Sequence, residues 1–253
     1  MKKVIMFIPL TREWRAQTLA SQIESLNTTN IDLTVLIYID NPSIERKSVD
    51  QKFKDIKTII YKTREWHFSE INIGRRRERI TKVFEKAKKW ITKDYDYVFV
   101  LEDDTNLDTE ILQELIRGYE TNSDVGIMSA VQAGRWADKI VGAWITDNPD
   151  RPTTLQTVEY TNELVIEEVD ATGFYCFIIK PEDYLSLDFR FNFFGPDVCA
   201  GIDLRRQGKK NFIDWRLKVD HVGRNGLVLV DKDCIVNKYR LIGNTWVKQE
   251  TNT

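Results

Sequence analysis

Short apolar runs alternate with amphipathic stretches through the first half of the chain. Four of these runs have the length of a buried strand: residues 4–10, 33–40, 58–61 and 97–101. Apolar residues recur at helical spacing from Ala16 to Leu26 and again from Ile73 to Ile91. Strands that alternate with helices are typical of a mostly parallel sheet flanked by helices, so the pattern predicts an α/β fold.

The second half follows a less regular pattern. Three stretches are strand candidates, the last of them weaker: residues 125–134, 172–180 and 162–170. Two prolines indicate a loop between Ile145 and Thr157. No stretch repeats, and a chain of 253 residues with 42% hydrophobic content fits one large domain.

The charges nearly balance, with 37 Lys and Arg against 39 Asp and Glu, which leaves a net charge of −2. Without a global basic field, a general affinity for nucleic acid is not expected. The three cysteines are odd in number and lack Cys-x-x-Cys spacing, which argues against disulfides and structural zinc and favours a reducing, cytoplasmic location. No apolar run reaches the roughly 20 residues that cross a bilayer, so we expect no transmembrane segment.

Three consecutive acids, Glu102, Asp103 and Asp104, follow the fourth apolar run, and Asp40 ends the second. Ligands of open α/β sheets bind outside the carboxyl ends of the strands, so these acids should converge on one crevice. Adjacent carboxylates repel one another, and a shared Mn²⁺ or Mg²⁺ would offset that repulsion. Alternatively, the acids belong to the N-terminal region of a helix that begins after Asp108.

The stretch "VFVLEDD" resembles the D-x-D element of GT-A-fold nucleotide-sugar glycosyltransferases. The later stretch from Gly173 onward is similar, in order and spacing, to the second half of glycosyltransferase family 2. It has a Gly-led strand, a Phe-rich loop at 189–194, an acid that opens a helix ending in Gly208, and a strand that finishes in His221. The resemblance implies a GT-A, Rossmann-like domain over residues 1–253, with a nucleotide-binding half (1–107) and a smaller mixed acceptor-side half (108–253).

The resemblance also implies roles for individual residues. Asp104 and His221 would hold the Mn²⁺ or Mg²⁺, with Glu102 and Asp103 nearer the ribose and water. Four residues at the ends of the first two strands would border the base and ribose: Pro9, Thr11, Arg12 and Asp40. Without the resemblance, His221 would be read as a hydrogen-bonded structural histidine, and Thr11 and Asp40 as ordinary turn residues.

Asp197 is the candidate general base. Gly195-Pro196 is typical of a helix entry with Pro in the first position, which places Asp197 in the first turn. The family pattern has an acid where this chain has Pro196 and another where it has Cys199, so one carboxylate remains. Alternatively, Asp197 complements the helix dipole without catalytic work.

The helix predicted from Ile73 carries nine Lys and Arg against two Glu between Gly74 and Lys93. Arg76 and Arg77 stand near its start, where the helix dipole disfavours cations, so an anionic partner such as the donor diphosphate would compensate. The competing interpretation is a surface patch for nucleic acid or anionic lipid.

Aromatic residues are concentrated in the second half. Their faces suit the apolar faces of sugar rings, although most should belong to the core. Trp136 and Trp144 have loop-like surroundings and, with Gly173 from the family pattern, are the candidates for acceptor binding.

These features favour a metal-dependent, inverting glycosyltransferase that moves a hexosyl or pentosyl group from a nucleoside-diphosphate sugar to an acceptor hydroxyl. The acceptor could be a glycan, a lipid-linked sugar, a protein or a phage-type modified DNA base, with DNA less favoured by the near-neutral charge. Two alternatives remain: a non-catalytic sugar- or nucleotide-binding module of the same fold, and a nucleotidyltransferase. The latter would normally carry a Gly-rich loop after the first strand, where "IPLTREWR" has no glycine.

Overall fold

The computed structural model describes residues 1–63, 73–132, 139–148, 154–161, 165–190, 194–222, 228–230, 236–242 and 245–248. At residues 73–77, and in the strands between 228 and 246, it describes the backbone alone.

Strands account for most of the regular structure in these ranges. In chain order they are β1 (Lys2–Leu10), β2 (Ile31–Ile39), β3 (Thr58–Lys62), β4 (Tyr97–Leu101), β5 (Thr105–Asn106), β6 (Val125–Val131), β7 (Ile140–Thr146), β8 (Leu155–Glu159), β9 (Ile166–Val169), β10 (Ala171–Thr172), β11 (Cys176–Ile179), β12 (Lys210–Lys218), β13 (Asp220–His221), β14 (Val228–Val230), β15 (Val236–Ile242) and β16 (Thr245–Lys248).

The helices lie mainly between strands of the first half and before β12. They are α1 (Ala16–Ser25), α2 (Arg46–Lys52), α3 (Ile73–Ala87), α4 (Ile111–Thr121), α5 (Pro181–Ser186) and α6 (Pro196–Arg206), and a 3-10 turn at Glu13–Arg15 leads into α1. In the part of the chain that the structure describes, no helix has both the length and the apolar character needed to cross a bilayer.

The central sheet has eight strands in the order β3-β2-β1-β4-β11-β6-β12-β9. β1 runs parallel to β2 and β4, and β2 runs parallel to β3, which confirms the four strands predicted for the first half. β11 is antiparallel to both of its neighbours, β4 and β6. The parallel strands therefore deliver their carboxyl ends to one edge, where Asp40 and the acidic residues after β4 lie.

Two hydrophobic layers enclose this sheet, one on each face. Because side chains alternate along a strand, β1 sends Met6 into one layer and Phe7 into the other. α1 and α4 cover the Met6 side, and α3 and α5 cover the Phe7 side. Phe84 of α3 is 1% exposed and packs edge-on against Phe7. Burying a side chain of this size stabilises the fold by about 1.5–3 kcal/mol. The apolar face of the amphipathic helix α3 carries such side chains toward the sheet.

The second half departs from its predicted pattern in two places. The strand expected at 172–180 is two strands, β10 and β11, separated by a turn at Phe174–Tyr175. The loop expected between Ile145 and Thr157 is shorter, because β7 and β8 pair as antiparallel neighbours. The weaker strand candidate is confirmed as β9, at the edge of the sheet. In the first half, α3 ends at Ala87 and not at Ile91.

Smaller sheets complete the described structure. β7 lies between β10 and β8 in a three-stranded sheet, and β14, β15 and β16 form another. β13 pairs antiparallel with β5, so that residue 221 lies opposite residue 105. This short pairing returns the chain to the turn that follows β4.

Candidate active site

The three acids form a tight turn directly after β4. The N–H of Thr105 donates to the carbonyl of Glu102 at 3.1 Å and closes the turn. The N–H of Glu102 donates to the carbonyl of Tyr175 at 2.9 Å, which fixes the turn against the start of β11. Glu102 is half-buried, whereas Asp103 and Asp104 are 2% and 1% exposed. Two buried carboxylates in sequence need compensating charge or hydrogen bonds.

Asp103 binds the turn to the end of β1. Its Oδ2 accepts hydrogen bonds from the N–H of Thr11 at 2.6 Å, from Thr11 Oγ1 at 3.0 Å and from the N–H of Arg12 at 2.8 Å. The guanidinium of Arg12 contacts Oδ1. Burial raises the pKa of the Asp103 carboxyl, and the attraction of Arg12 together with the Thr11 donors counteracts that rise. The predicted neighbours Thr11, Arg12 and Asp103 thus form one hydrogen-bonded group.

Asp104 and His221 are brought together as the family pattern implied. The Nε2 atom of His221 lies 3.0 Å from Oδ2 of Asp104. The pairing of β13 with β5 holds this contact, and the N–H of Val222 donates to the carbonyl of Asp104 at 2.7 Å. His221 is 6% exposed, so both side chains are fixed in a mostly buried position.

The donor set at this position fits a divalent cation. The Asp104 oxygen and the His221 nitrogen lie 3.0 Å apart, and both kinds of atom are ligands that divalent cations take in proteins. A carboxylate with an imidazole favours a transition-metal ion such as Mn²⁺ over Mg²⁺. The described residues contain no group of three or more His, Cys, Asp or Glu that could hold a metal. A cation held here would therefore take its other ligands from water and a bound phosphate group.

Two arginines from the segment after β1 supply positive charge to the acidic turn. Arg12 contacts both buried carboxylates, with its Nη2 2.9 Å from Oδ2 of Asp104. Arg15 is 3% exposed and donates from Nε to the carbonyl of Asp103 and from Nη2 to the carbonyl of Thr105, at 2.8 and 2.9 Å. Burial lowers the pKa of Arg12, but the attraction of Asp103 and Asp104 outweighs burial and raises it above the ordinary value.

From the sequence, we expected a bound metal ion to offset the repulsion between the three acids. The two arginines change this expectation. The protein's own guanidinium groups already contribute to that compensation. Arg15 was not among the predicted site residues. The sequence held part of the signal, since Arg12 and Arg15 follow β1 and the acids follow β4. The pairing of β1 with β4, which the structure shows, is needed to bring these strand ends side by side.

Asp40 lies at the carboxyl end of β2, as predicted, and is 7% exposed. Its Oδ2 pairs with Nε of Arg79 on α3 at 2.5 Å. Both residues line a small cleft of about 20 Å³, room for about one water molecule, together with Tyr38, Thr63, Lys82, Val83 and Lys86. Arg79 was missed, because the sequence pattern pointed to Arg76 and Arg77, whose side chains lie outside the described residues.

Pro9 lies in β1 opposite Tyr38, beyond the stretch of β1 that pairs with β4.

Asp197 lies in the first turn of α6, which begins at Pro196 after Gly195, as the sequence predicted. Its Oδ1 accepts a hydrogen bond from the N–H of Val198 at 3.0 Å. A Cβ at position 195 would lie 2.4 Å from that oxygen, so glycine leaves the space into which the carboxylate folds.

The helix α6 packs closely beside β10. At Gly201 a Cβ would lie 2.6 Å from the carbonyl of Asp170.

The candidates for acceptor binding differ in their positions. Trp144 lies in β7, opposite Ala171, and not in a loop as predicted. It packs against a small apolar cluster that includes Val198 and Ile202 of α6, so part of its surface serves the core. The N–H of Gly173 donates to the carbonyl of Gly142 at 2.8 Å. Trp136 lies outside the described residues.

Comparison with known proteins identifies the architecture. No protein-family model matches the sequence, and no curated protein sequence matches it. The structure is similar to that of GalNAc-T7 with UDP, GalNAc and Mn²⁺, with a TM-score of 0.62 and 9% identity over 88% of this chain and 43% of the other. It is also similar to the mannosyltransferase PcManGT from Pyrobaculum calidifontis in complex with GDP-Man and Mn²⁺, with a TM-score of 0.60 and 12% identity over 88% of this chain and 58% of that one.

A third similar structure is that of A197 from STIV, with a TM-score of 0.50 and 12% identity over 100% of both chains. This chain spans about half the length of the two glycosyltransferases, 43% and 58% respectively. At these identities the likeness shows the fold. The predicted fold class is confirmed as a mixed α/β, GT-A-type architecture with a large, mostly parallel central sheet.

Proposed function

We propose that the protein is a metal-dependent, inverting glycosyltransferase that moves a sugar from a nucleoside-diphosphate sugar to an acceptor hydroxyl. The observation that carries this proposal is the meeting of Asp104, His221 and Arg12 at the carboxyl end of β4. One carboxylate, one imidazole and one guanidinium at a strand end suit a cation and an anionic phosphate group bound side by side. The fold shared with two nucleotide-sugar-bound glycosyltransferases supports the same function.

The nucleoside would bind between the ends of β1 and β2. There the Asp40 carboxylate offers an acceptor and the Arg79 guanidinium offers donors, 2.5 Å apart at a cleft. Pro9, Thr11 and Glu102, at the ends of β1 and β4, are proposed to contact the base or ribose. Arg76 and Arg77 remain proposed partners of the diphosphate, because Arg79 of the same helix pairs with Asp40 at this edge of the sheet.

Asp104 and His221 would hold the cation, with Mn²⁺ the better match to their donor atoms. When bound, the cation would neutralise negative charge that develops on the departing diphosphate. Asp103 serves this site indirectly, since its carboxylate fixes Thr11 and Arg12 against the acidic turn.

Asp197 would accept the proton of the acceptor hydroxyl as that oxygen attacks the anomeric carbon. Its place in the first turn of α6 favours the ionised carboxylate, because the helix dipole is positive there. One base and one displacement lead to inversion at the anomeric carbon. Gly173 and the two tryptophans, Trp136 and Trp144, are proposed for the acceptor side.

The acceptor is proposed to carry a hydroxyl group on a glycan, a lipid-linked sugar, a protein or a modified DNA base. The net charge of −2 makes DNA the less favoured of these. A second candidate function, a binding module without turnover, is favoured by Pro196 and Cys199 at the two positions where the family pattern has acids.

The deciding experiment is a screen of nucleoside-diphosphate sugars with Mn²⁺, with Mg²⁺ and with chelator, measuring release of free nucleoside diphosphate. Slow donor hydrolysis that requires the cation, and that disappears in Asp197→Asn, would support transfer chemistry. Saturable binding without any release of nucleoside diphosphate, with or without candidate acceptors, would favour the binding module. Turnover at full rate with chelator would remove the metal from the proposal.

A further inference from the structure

Arg12 and His221 share one oxygen of Asp104. The Nη2 atom of Arg12 lies 2.9 Å from Oδ2, and the Nε2 atom of His221 lies 3.0 Å from the same Oδ2. The other terminal nitrogen of Arg12 contacts Oδ1 of Asp103. A divalent ion bound to Oδ2 at about 2.1 Å would sit beside the guanidinium, so two positive groups would compete for one carboxylate.

The surroundings of Arg12 allow it to leave this position. Its side chain is 30% exposed and contacts carboxylate oxygens that project from the acidic turn. If the guanidinium leaves, Asp103 keeps the hydrogen bonds from the N–H of Thr11, the hydroxyl of Thr11 and the N–H of Arg12. The departure therefore does not strand the buried Asp103 carboxylate, which would be costly, and Asp104 keeps its contact with His221.

Arg15 differs from Arg12 in each of these respects. It is 3% exposed, and it donates to the backbone carbonyls of Asp103 and Thr105 and to Oδ1 of Asn106. Because the Arg15 guanidinium is buried against the backbone of the turn, it is held more firmly than that of Arg12. Arg15 is therefore part of the structure of the turn, whereas Arg12 is the more exposed of the two arginines.

We propose that Arg12 is the resident counter-cation of the acidic turn, and that it couples the binding of a divalent cation to the binding of a nucleoside diphosphate. In the ligand-free protein, Arg12 holds Asp104 and weakens cation binding. When a diphosphate arrives, Arg12 transfers its hydrogen bonds to the phosphate oxygens and releases Asp104 to the cation. This inference rests on the proposed function for the identity of the anion.

Linkage makes the coupling reciprocal. If the nucleotide tightens cation binding by some factor, the cation tightens nucleotide binding by the same factor. Couplings of this kind are typically about 5- to 150-fold. Without the Arg12 charge, the cation should bind tightly even in the absence of nucleotide, and the coupling should shrink.

The test measures Mn²⁺ binding by electron paramagnetic resonance, with and without UDP or GDP, in the wild type and in Arg12→Met. A protein-free titration gives the Mn²⁺–nucleotide contribution. We expect Arg12→Met alone to bind Mn²⁺ about tenfold or more tightly than the wild type alone, and to gain less from nucleotide. Equal or weaker Mn²⁺ binding by Arg12→Met would overturn the proposal.

Two further variants locate the effect. Arg190→Met removes a guanidinium of similar exposure that pairs with both oxygens of Asp203 away from this turn, and should leave Mn²⁺ affinity unchanged. Arg12→Met combined with Asp104→Asn removes both partners and should abolish the gain in Mn²⁺ affinity. If the gain persists in the double variant, Asp104 is not the contested ligand and the proposal fails.

Folding is controlled by comparing thermal unfolding of each variant with the wild type. If Arg12→Met unfolds, Arg12→Gln takes its place. The wild type alone also tests the proposal, because a Mn²⁺ affinity that does not change when UDP or GDP is added contradicts the coupling. Failure of the proposed function gives a different result. In that case the protein does not turn over nucleotide sugars, although removal of the Arg12 guanidinium still changes its affinity for Mn²⁺ alone.

Discussion

The imidazole Nε2 of His221 lies 3.0 Å from Oδ2 of Asp104, although the two residues are 117 positions apart in the chain. The two-residue strand β13 creates this proximity by pairing with β5 immediately after the acidic turn. Two remote segments are thereby joined at the pair of atoms that we propose as metal ligands, and this relationship gives the first prediction.

Asp104→Asn and His221→Gln should each weaken Mn²⁺ binding, because each removes one of the two proposed protein ligands while nearly preserving side-chain volume. Isothermal titration of Mn²⁺ in the presence of UDP or GDP measures the loss. Asp220→Asn is the matched control, since Asp220 neighbours His221 but its side chain interacts with Asn106. Unchanged Mn²⁺ affinity in both ligand variants would show that the cation binds elsewhere.

Asp197→Asn should lower turnover by about 10²- to 10⁴-fold, the usual contribution of a general base, while donor affinity stays near that of the wild type. Steady-state kinetics and donor binding together test this. Asp203→Asn is a suitable control on the same helix, because Asp203 pairs with Arg190 and should affect stability more than chemistry. A fully active Asp197→Asn enzyme would assign Asp197 to the helix dipole alone.

Tyr175 fills a space left by two glycines. A Cβ at Gly142 or at Gly173 would lie 2.7 Å from the Tyr175 ring, and the Tyr175 carbonyl holds the N–H of Glu102. Gly142→Ala should therefore destabilise the protein by about 1–3 kcal/mol, as overpacked sites do, and should also reduce cation binding at the displaced turn.

Denaturant unfolding of Gly142→Ala, Tyr175→Leu and the double variant checks the cause. If the clash is responsible, the double variant will be more stable than the sum of the single effects implies, because the smaller side chain removes the contact. Additive losses would show that Gly142 is needed for another reason.

At Gly208, in contrast to Gly142, a side chain would have space, but the backbone conformation disfavours residues other than glycine. Its φ is +81°, and a Cβ there would meet no heavy atom within 4 Å. Gly208→Ala should cost about 1 kcal/mol from backbone strain alone, and Gly208→Asn should cost less, because Asn tolerates the left-handed region better. Equal stability of Gly208→Ala and the wild type in chemical unfolding would contradict this.

Glu168 of β9 gives a pH-dependent prediction. A hydrogen bond from Arg205 of α6, at 2.7 Å, lowers the pKa of Glu168 below its ordinary value of 4.5, with Lys210 assisting. A carboxylate with a lowered pKa stabilises the folded state above its ordinary pKa, and this contribution disappears as the pH falls through the folded pKa. Glu168→Gln should therefore be less stable than the wild type at pH 7.

The difference between the two proteins should narrow below pH 4.5, where the wild-type carboxylate becomes protonated. Thermal unfolding from pH 7 to pH 3 measures it. A stability gap that is constant across this range would mean that the ion pair is not its source.

The first half was predictable because each buried strand is a continuous apolar run. β1 and β2 are enclosed on both faces, so nearly every position is apolar and the signal does not depend on register. The hairpin of β7 and β8 was missed because these strands are shorter and partly exposed, and Trp144 in β7 was consequently placed in a loop. A hydrophobic pattern marks burial, and in β7 and β8 buried positions alternate with partly exposed ones or are few.

In the candidate site, the acids were visible as charges at a strand end, whereas their partners depended on contacts between elements. The Asp40–Arg79 pair joins β2 to α3, and the Arg12–Asp103 pair joins the ends of β1 and β4. Such pairs require knowledge of which strands are neighbours and how a helix is rotated. The Asp104–His221 pair was anticipated from family resemblance, because spacing alone does not show that β13 returns to β5.

β11 lies between β4 and β6 and runs against both, so the sheet of the first half is completed by a strand from the second. A polypeptide that stopped at residue 107 would leave β4 as a bare edge with unsatisfied amides, inviting strand exchange with another copy. Splitting the gene at that position, for complementation or for fusion tags, should therefore yield fragments that aggregate unless both are produced together.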